Sequence, residues 1–201
     1  MKQTRKHIQN TFIELCRGKP ADKITVKEIV ASCQINRNSF YYHFEDLPGL
    51  VVSIVEDQVH DAFVAEGGSF TSGFLACARA LQDNLDFYRN IYYSKNREIL
   101  DMRLNAMVEE LIRDYFGTRI FDHYDVSEED QEIIVQTYRM EVGGVFMCWL
   151  QEGMRYDLVK RLERMFELRQ GTLEMMVQRA DRSKRSVNGP AWMQDFGPKT
   201  N

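Results

Sequence analysis

The chain has 201 residues and a mass of 23.6 kDa, enough for one domain with a real core and no disulfide staples. Hydrophobic residues make up 44% and charged residues 28%, which excludes a disordered chain. A net charge of −4 and a pI of about 5.6 exclude a protein that coats nucleic acid along its whole surface. That average hides a split. Residues 1–50 hold eight Lys/Arg against five Asp/Glu, a net of +3, so residues 51–201 carry −7. A small basic head on an acidic body directs attention to the N-terminus. Cys16, Cys33, Cys77 and Cys148 show no CxxC spacing and sit in apolar helical patterns, so buried thiols in a reducing compartment are expected. The start MKQTRKHIQN is too polar for a signal peptide, and no apolar run approaches the ~18 residues of a membrane span. A cytoplasmic protein is expected.

Nearly every segment reads at helical period. The first helix covers roughly 4–17, with Ile8, Phe12, Leu15 and Cys16 on one face, and ends at Gly18-Lys19-Pro20. Thr25-Val26-Lys27-Glu28 has the form of a capping box and opens a short helix ending near Cys33-Gln34. Asn36 caps a third, from Arg37 to about His43, with Phe40 and Phe44 inward. Asp46 caps a fourth over 47–63, with Pro48 harmless in its first turn. Glu66-Gly67-Gly68-Ser69 reads as a linker. Helix resumes over 70–85 and 87–93, with a break near Asn84. Leu100, Leu104, Met107, Val108, Leu111, Ile112, Tyr115 and Phe116 form the best amphipathic stripe, which Gly117 should end. Ser127 caps a helix running to about Gly153 and apolar on two sides. A last helix is expected over 156–182, and the tail from Ser183 should fray.

Residues 25–44, TVKEIVASCQINRNSFYYHF, are therefore two short capped helices around a tight turn, the helix-turn-helix plan. In that plan the second helix enters the major groove with its N-terminal residues leading. With Phe40 inward, Asn38 and Tyr42 point outward, Ser39 and Tyr41 flank them, and Arg37 leads. Arg can fork onto guanine and Asn can pair with adenine, while Ser, Tyr and His can hold phosphates. Other chemistry finds no support. His60-Asp61 lacks the companions of a metal-dependent HD hydrolase, and Asp122-His123-Tyr124-Asp125 reads as a polar loop. HExxH, a Gly-rich phosphate loop and a nucleophile elbow are absent, so neither an enzyme nor a metal or cofactor is expected.

ITVKEIV followed by INRNSFYYHFEDLPGLV resembles the DNA-binding head of the TetR/AcrR family of transcriptional regulators. The resemblance implies an all-α fold of about nine helices: a three-helix head (1–46), a larger ligand-binding and dimerisation body (47–183) and a flexible tail (184–201). It implies base-edge contacts at Arg37, Asn38, Ser39 and Tyr42, and phosphate contacts at Thr25, Lys27, Tyr41 and His43, with Asn36 at the head of the same helix. Two positions depart from the pattern. Gln34 stands where the turn usually has glycine, which calls for a left-handed or altered turn. Leu47 stands where a lysine usually meets a phosphate. Tyr138, Gly143, Gly144, Trp149-Leu150 and Gly153 resemble a subgroup with a body like that of a dihydroxyacetone-kinase operon regulator.

The family reading implies a homodimer on a double-stranded operator. The two-sided helix 127–153 and the last helix would form the interface through Ile133, Thr137, Met140, Gly144, Met147, Cys148, Leu162, Phe166 and Leu173. The effector could be a small molecule or a protein. Tyr, Phe and Met residues of 87–116 and 138–149 could line an apolar cavity, or only pack. The alternative is a co-regulator of the same fold whose signal is a partner protein.

Overall fold

The computed structural model describes residues 2–67, 69–95 and 97–184. Among them are ten α-helices and no strand: α1 (Lys2–Gly18), α2 (Val26–Ser32), α3 (Arg37–His43), α4 (Leu47–Ala65), α5 (Phe70–Asp83), α6 (Leu85–Tyr92), α7 (Arg97–Arg119), α8 (Glu128–Gln151), α9 (Leu158–Leu168) and α10 (Thr172–Ala180). The break between α5 and α6 falls at Asn84, as expected. Gly68 of the linker and the glycine–proline pairs of the tail lie outside the described residues.

Helices α1 to α3 close around rings and aliphatic chains with no exposure: Ile8, Ile29 and Phe40, with Phe12 next to none. Isolated helices of seven residues are unstable in water, so α2 and α3 exist because they pack. The body is built outward from α4, which packs on α5 and α7. In turn α7 packs on α8, and α5 on α9. The expected stripe is the buried side of α7: Leu100, Leu104, Val108, Ile112 and Phe116 all face inward. In α8, Ile134, Tyr138, Val142, Phe146 and Trp149 are buried.

Three expectations are corrected. Gly117 does not end its helix, since α7 runs on to Arg119. A helix interior tolerates one glycine at a modest cost in backbone entropy. The last helix is two: Arg169-Gln170-Gly171 interrupts it, with Gly171 in the left-handed region at φ +79°. Apolar periodicity continues across that corner, which is why it reads as one segment. Cys148 is exposed, whereas Cys16, Cys33 and Cys77 are buried. Burial pushes the Cys16 and Cys77 thiols up to about 12.

The helices α4 and α5 meet at Gly73. A methyl there would lie 2.6 Å from the Phe63 ring, so Gly73 sets how closely the two axes approach. At Gly117 a methyl would meet nothing within 4 Å. Gly73→Ala should therefore destabilise the chain by about 1–3 kcal/mol. Gly117→Ala should stabilise it by about 0.5–1 kcal/mol. Chemical denaturation of both variants checks the pair, and equal effects would contradict the packing.

Candidate nucleic-acid interface

Three local features hold α3. Asn36 Oδ1 accepts from the Ser39 backbone N–H at 2.8 Å and from the Ser39 hydroxyl at 3.1 Å. Phe40 is buried without remainder and packs edge-on to Tyr41, with ring centres 5.4 Å apart. Phe44 follows, 5% exposed, and takes the chain out of the helix. With one side pinned, the opposite side is fixed. Arg37 and Asn38 are exposed, Ser39 and His43 are half-buried, and Tyr41 and Tyr42 are 53% and 66% exposed. The Tyr42 ring stands edge-on to His43 at 5.0 Å.

Helix α2 begins at Thr25, whose hydroxyl oxygen accepts from the Glu28 N–H at 3.3 Å. Only half of the expected capping box forms: the Glu28 carboxylate is paired with Lys19. Thr25 and Lys27 are exposed. The turn after α2 places Gln34 at φ +55°, the left-handed turn expected at a position that usually holds glycine. Leu47 is half-buried at the start of α4, and Asp46 Oδ1 caps that helix from 2.7 Å.

The cations of the head fall into two groups. Arg5 meets Asp57 at 2.9 Å, Lys6 meets Asp61 at 3.3 Å, and Arg17 meets Glu14 at 2.7 Å. Lys23, Lys27 and Arg37 have no carboxylate partner among the described residues. Two of the latter, Lys27 and Arg37, are exposed on α2 and α3, as are Thr25 and Asn38. Together the two helices offer unpaired positive charge with amide and hydroxyl groups, the equipment for phosphates and base edges.

Sequence reading did not find the groups that join head to body. The Asp57 carboxylate on α4 takes two hydrogen bonds from Arg5, at 2.9 and 3.1 Å, and one from the buried Gln9 amide at 2.7 Å. The same amide reaches Ser53 at 3.2 Å. From α6, Asn90 donates to the Cys16 carbonyl at 2.6 Å, and Phe87 meets Phe12 edge-on. Within the body, buried Tyr88 donates to Gln58 of α4, which ties α6 to the helix that carries Asp57. These partners are up to 74 positions apart, so no local spacing signals them.

The expected interface residues divide. Along α8, Ile133 and Met140 are 53% and 62% exposed, Cys148 is exposed, and Thr137, Gly144 and Met147 are half-buried. Thr137 spends its hydroxyl on the Ile133 carbonyl, so it suits an apolar contact. Phe166 and Leu173 are half-buried. Leu162 is corrected: it is fully buried within the chain, on the side of α9 that packs inward, and has no surface to offer. Gly143 also looks inward, toward Asn105 and Val108 of α7.

Inside the body, Val59, Phe74, Cys77, Leu104, Val108 and Phe146 surround an apolar void of about 30 Å³. A wider open cleft of about 520 Å³ separates α4 from α7, between Glu56, His60, Glu110 and Asp114. Among the described residues no helix is long and apolar enough to cross a membrane.

A family model for the C-terminal region of TetR-type transcriptional regulators matches residues 68–171, more than half of the chain. The chain belongs to the TetR family of transcriptional regulators. No curated protein matches it by sequence. Among solved structures, the dihydroxyacetone kinase operon activator DhaS superposes with a TM-score of 0.70 at 18% identity, covering 90% of this chain and 99% of that one. NalD, the secondary repressor of the MexAB-OprM multidrug efflux pump in Pseudomonas aeruginosa, superposes at 0.52 with 17% identity, covering 92% and 98%. At these identities the likeness is one of fold, and it spans head and body together. The TetR fold thus serves an activator in one relative and a repressor in the other.

The buried Gln9 amide depends on Asp57, whereas the Lys6–Asp61 pair is exposed on both sides. Asp57→Ala should cost about 1–3 kcal/mol, because it strands a buried donor. Asp61→Ala should stay within about 0.5 kcal/mol. Thermal melts of both variants test whether Asp57 is the tie.

Proposed function

We propose that the chain is a homodimeric DNA-binding repressor that works in the cytoplasm on a pseudo-palindromic operator. Residues 1–46 are the reading head, and residues 47–183 dimerise and receive the signal. One observation carries the reading: a short helix locked by Phe40 and Asn36 holds Arg37 and Asn38 outward, with Arg37 and the α2 residue Lys27 unpaired by any described carboxylate. The roles follow from what each group has left to give. Arg37 forks onto a guanine and Asn38 pairs with an adenine. Ser39 donates its hydrogen to Asn36, so toward DNA its oxygen is an acceptor for a base amino group. The Asn36 oxygen is occupied by the cap, which leaves its amide hydrogens to donate. Tyr42 completes the base-facing row. Lys27, Tyr41, His43 and the Thr25 hydroxyl hydrogen fall to phosphates.

Two half-sites about one helical turn apart need two heads, hence a dimer. Ile133, Thr137, Met140, Gly144, Met147 and Cys148 supply one stripe of its interface, and Phe166 and Leu173 extend it. Leu168 on α9 and Met175 on α10 are also exposed. A signal in the body moves the heads through Asp57 and the α6 contacts, and so changes their separation. A second reading gives the body a protein partner as its signal. The internal void favours it: at about 30 Å³ it is far below the roughly 300 Å³ of small-molecule pockets, and the larger α4–α7 cleft is open and rimmed by charged side chains.

Gel-shift and selection experiments test the reading. Arg37→Ala and Asn38→Ala should each relax discrimination at one base pair by about 1–3 kcal/mol. Lys27→Ala should weaken all duplexes alike and flatten the salt dependence. Unchanged preference in Arg37→Ala would refute its role. Met140→Asp should sediment as a monomer and lose operator binding.

A further inference from the structure

Among the described residues, glycine takes the left-handed conformation at three helix junctions: Gly67 at φ +62° after α4, Gly153 at +78° after α8 and Gly171 at +79° between α9 and α10. The end of α2 needs the same conformation and uses Gln34, at +55°. The match with α8 is close. At α2, Ile35 N–H donates to the Val30 carbonyl at 3.0 Å and Gln34 N–H to the Ala31 carbonyl at 3.2 Å. At α8, Met154 N–H donates to the Trp149 carbonyl at 2.8 Å and Gly153 N–H to the Leu150 carbonyl at 3.1 Å. Both form the two-bond motif that ends many helices, in which glycine has no side chain to press on its own backbone.

One other non-glycine residue described here is left-handed: Met154, at +59°. Its side chain is 6% exposed, so burial offsets the strain. Gln34 has no such offset. Its side chain is exposed and makes no hydrogen bond to any other described residue. Strain without an internal counterweight concentrates at positions that touch a ligand. Gln34 lies two residues before Asn36, at the leading edge of α3, where its side chain is long enough to reach past the cap.

We propose that Gln34 is an additional DNA-contacting residue, its side-chain amide donating a hydrogen bond to a phosphate oxygen beside the groove that α3 enters. The proposal rests on α3 being the recognition helix. The chemistry fits the residue: a glutamine amide offers two donors and no charge, and a phosphate oxygen accepts.

The test uses the full-length protein and a duplex that it selects from a random pool. Binding and melting temperature are measured for wild type, Gln34→Gly, Gln34→Glu and Arg37→Ala, on the selected duplex and on an unrelated one. Gln34→Gly should melt higher, because the turn is relieved, yet bind both duplexes about tenfold more weakly. Gln34→Glu keeps the shape and the strain, so it should melt like wild type and lose still more affinity. If both variants bind like wild type while Arg37→Ala loses selectivity, the Gln34 contact is wrong and the recognition helix stands. If Arg37→Ala also binds like wild type, or no duplex can be selected, the recognition helix itself is wrong.

Discussion

Everything outward about α3 depends on one inward ring. The helix has seven residues, too few to persist alone, and Phe40 fixes its rotation against α1 and α2. Turning it by one position would bury Asn38 or Ser39 and bring a charged or phenolic group against the core. The cost of burying such groups keeps the face unique. The outward face of α3 is thus a by-product of core packing, sharpened by a cap that orients the Asn36 and Ser39 hydrogen-bonding groups.

The same logic extends into the body. Head and body are joined by polar contacts placed on a packed interface, with Asp57 receiving Arg5 and Gln9 and the α6 side adding Asn90. Packed interfaces switch between discrete arrangements more readily than they deform smoothly. A displacement of α4 therefore reaches α1 directly, because the carboxylate that α1 holds is part of α4. The body itself is tightly filled, and the Gly73–Phe63 contact leaves α4 and α5 little room to slide. The α4–α7 side, where the open cleft lies, has more freedom.

Much of this was legible in the sequence. Periodicity located the α7 stripe, and capping residues located the starts of α3, α4 and α8, because both signals are local. The motif around Arg37 placed the head, and the glycine missing at position 34 announced its own left-handed turn. Three features were not legible. The corner at Gly171 hides inside a continuous apolar pattern. The inward Leu162 and the outward Cys148 look alike at helical period, since both lie on apolar faces and only tertiary packing separates them. The Asp57 tie joins residues about fifty positions apart, and no local rule connects them. For the residues proposed to contact DNA the sequence supplied chemical type and rotation. The structure supplied which atoms remain free to donate or accept.

Hydrogen–deuterium exchange tests the central claim most directly. The full-length protein is followed with and without a duplex that it has selected. If α3 lies in the groove, amides of 36–43 and of 25–27 gain the strongest protection on adding DNA, and the exposed stripe of α8 is unchanged, as the proposed dimer would already cover it. Protection confined to the body, with 36–43 exchanging as before, would contradict the account.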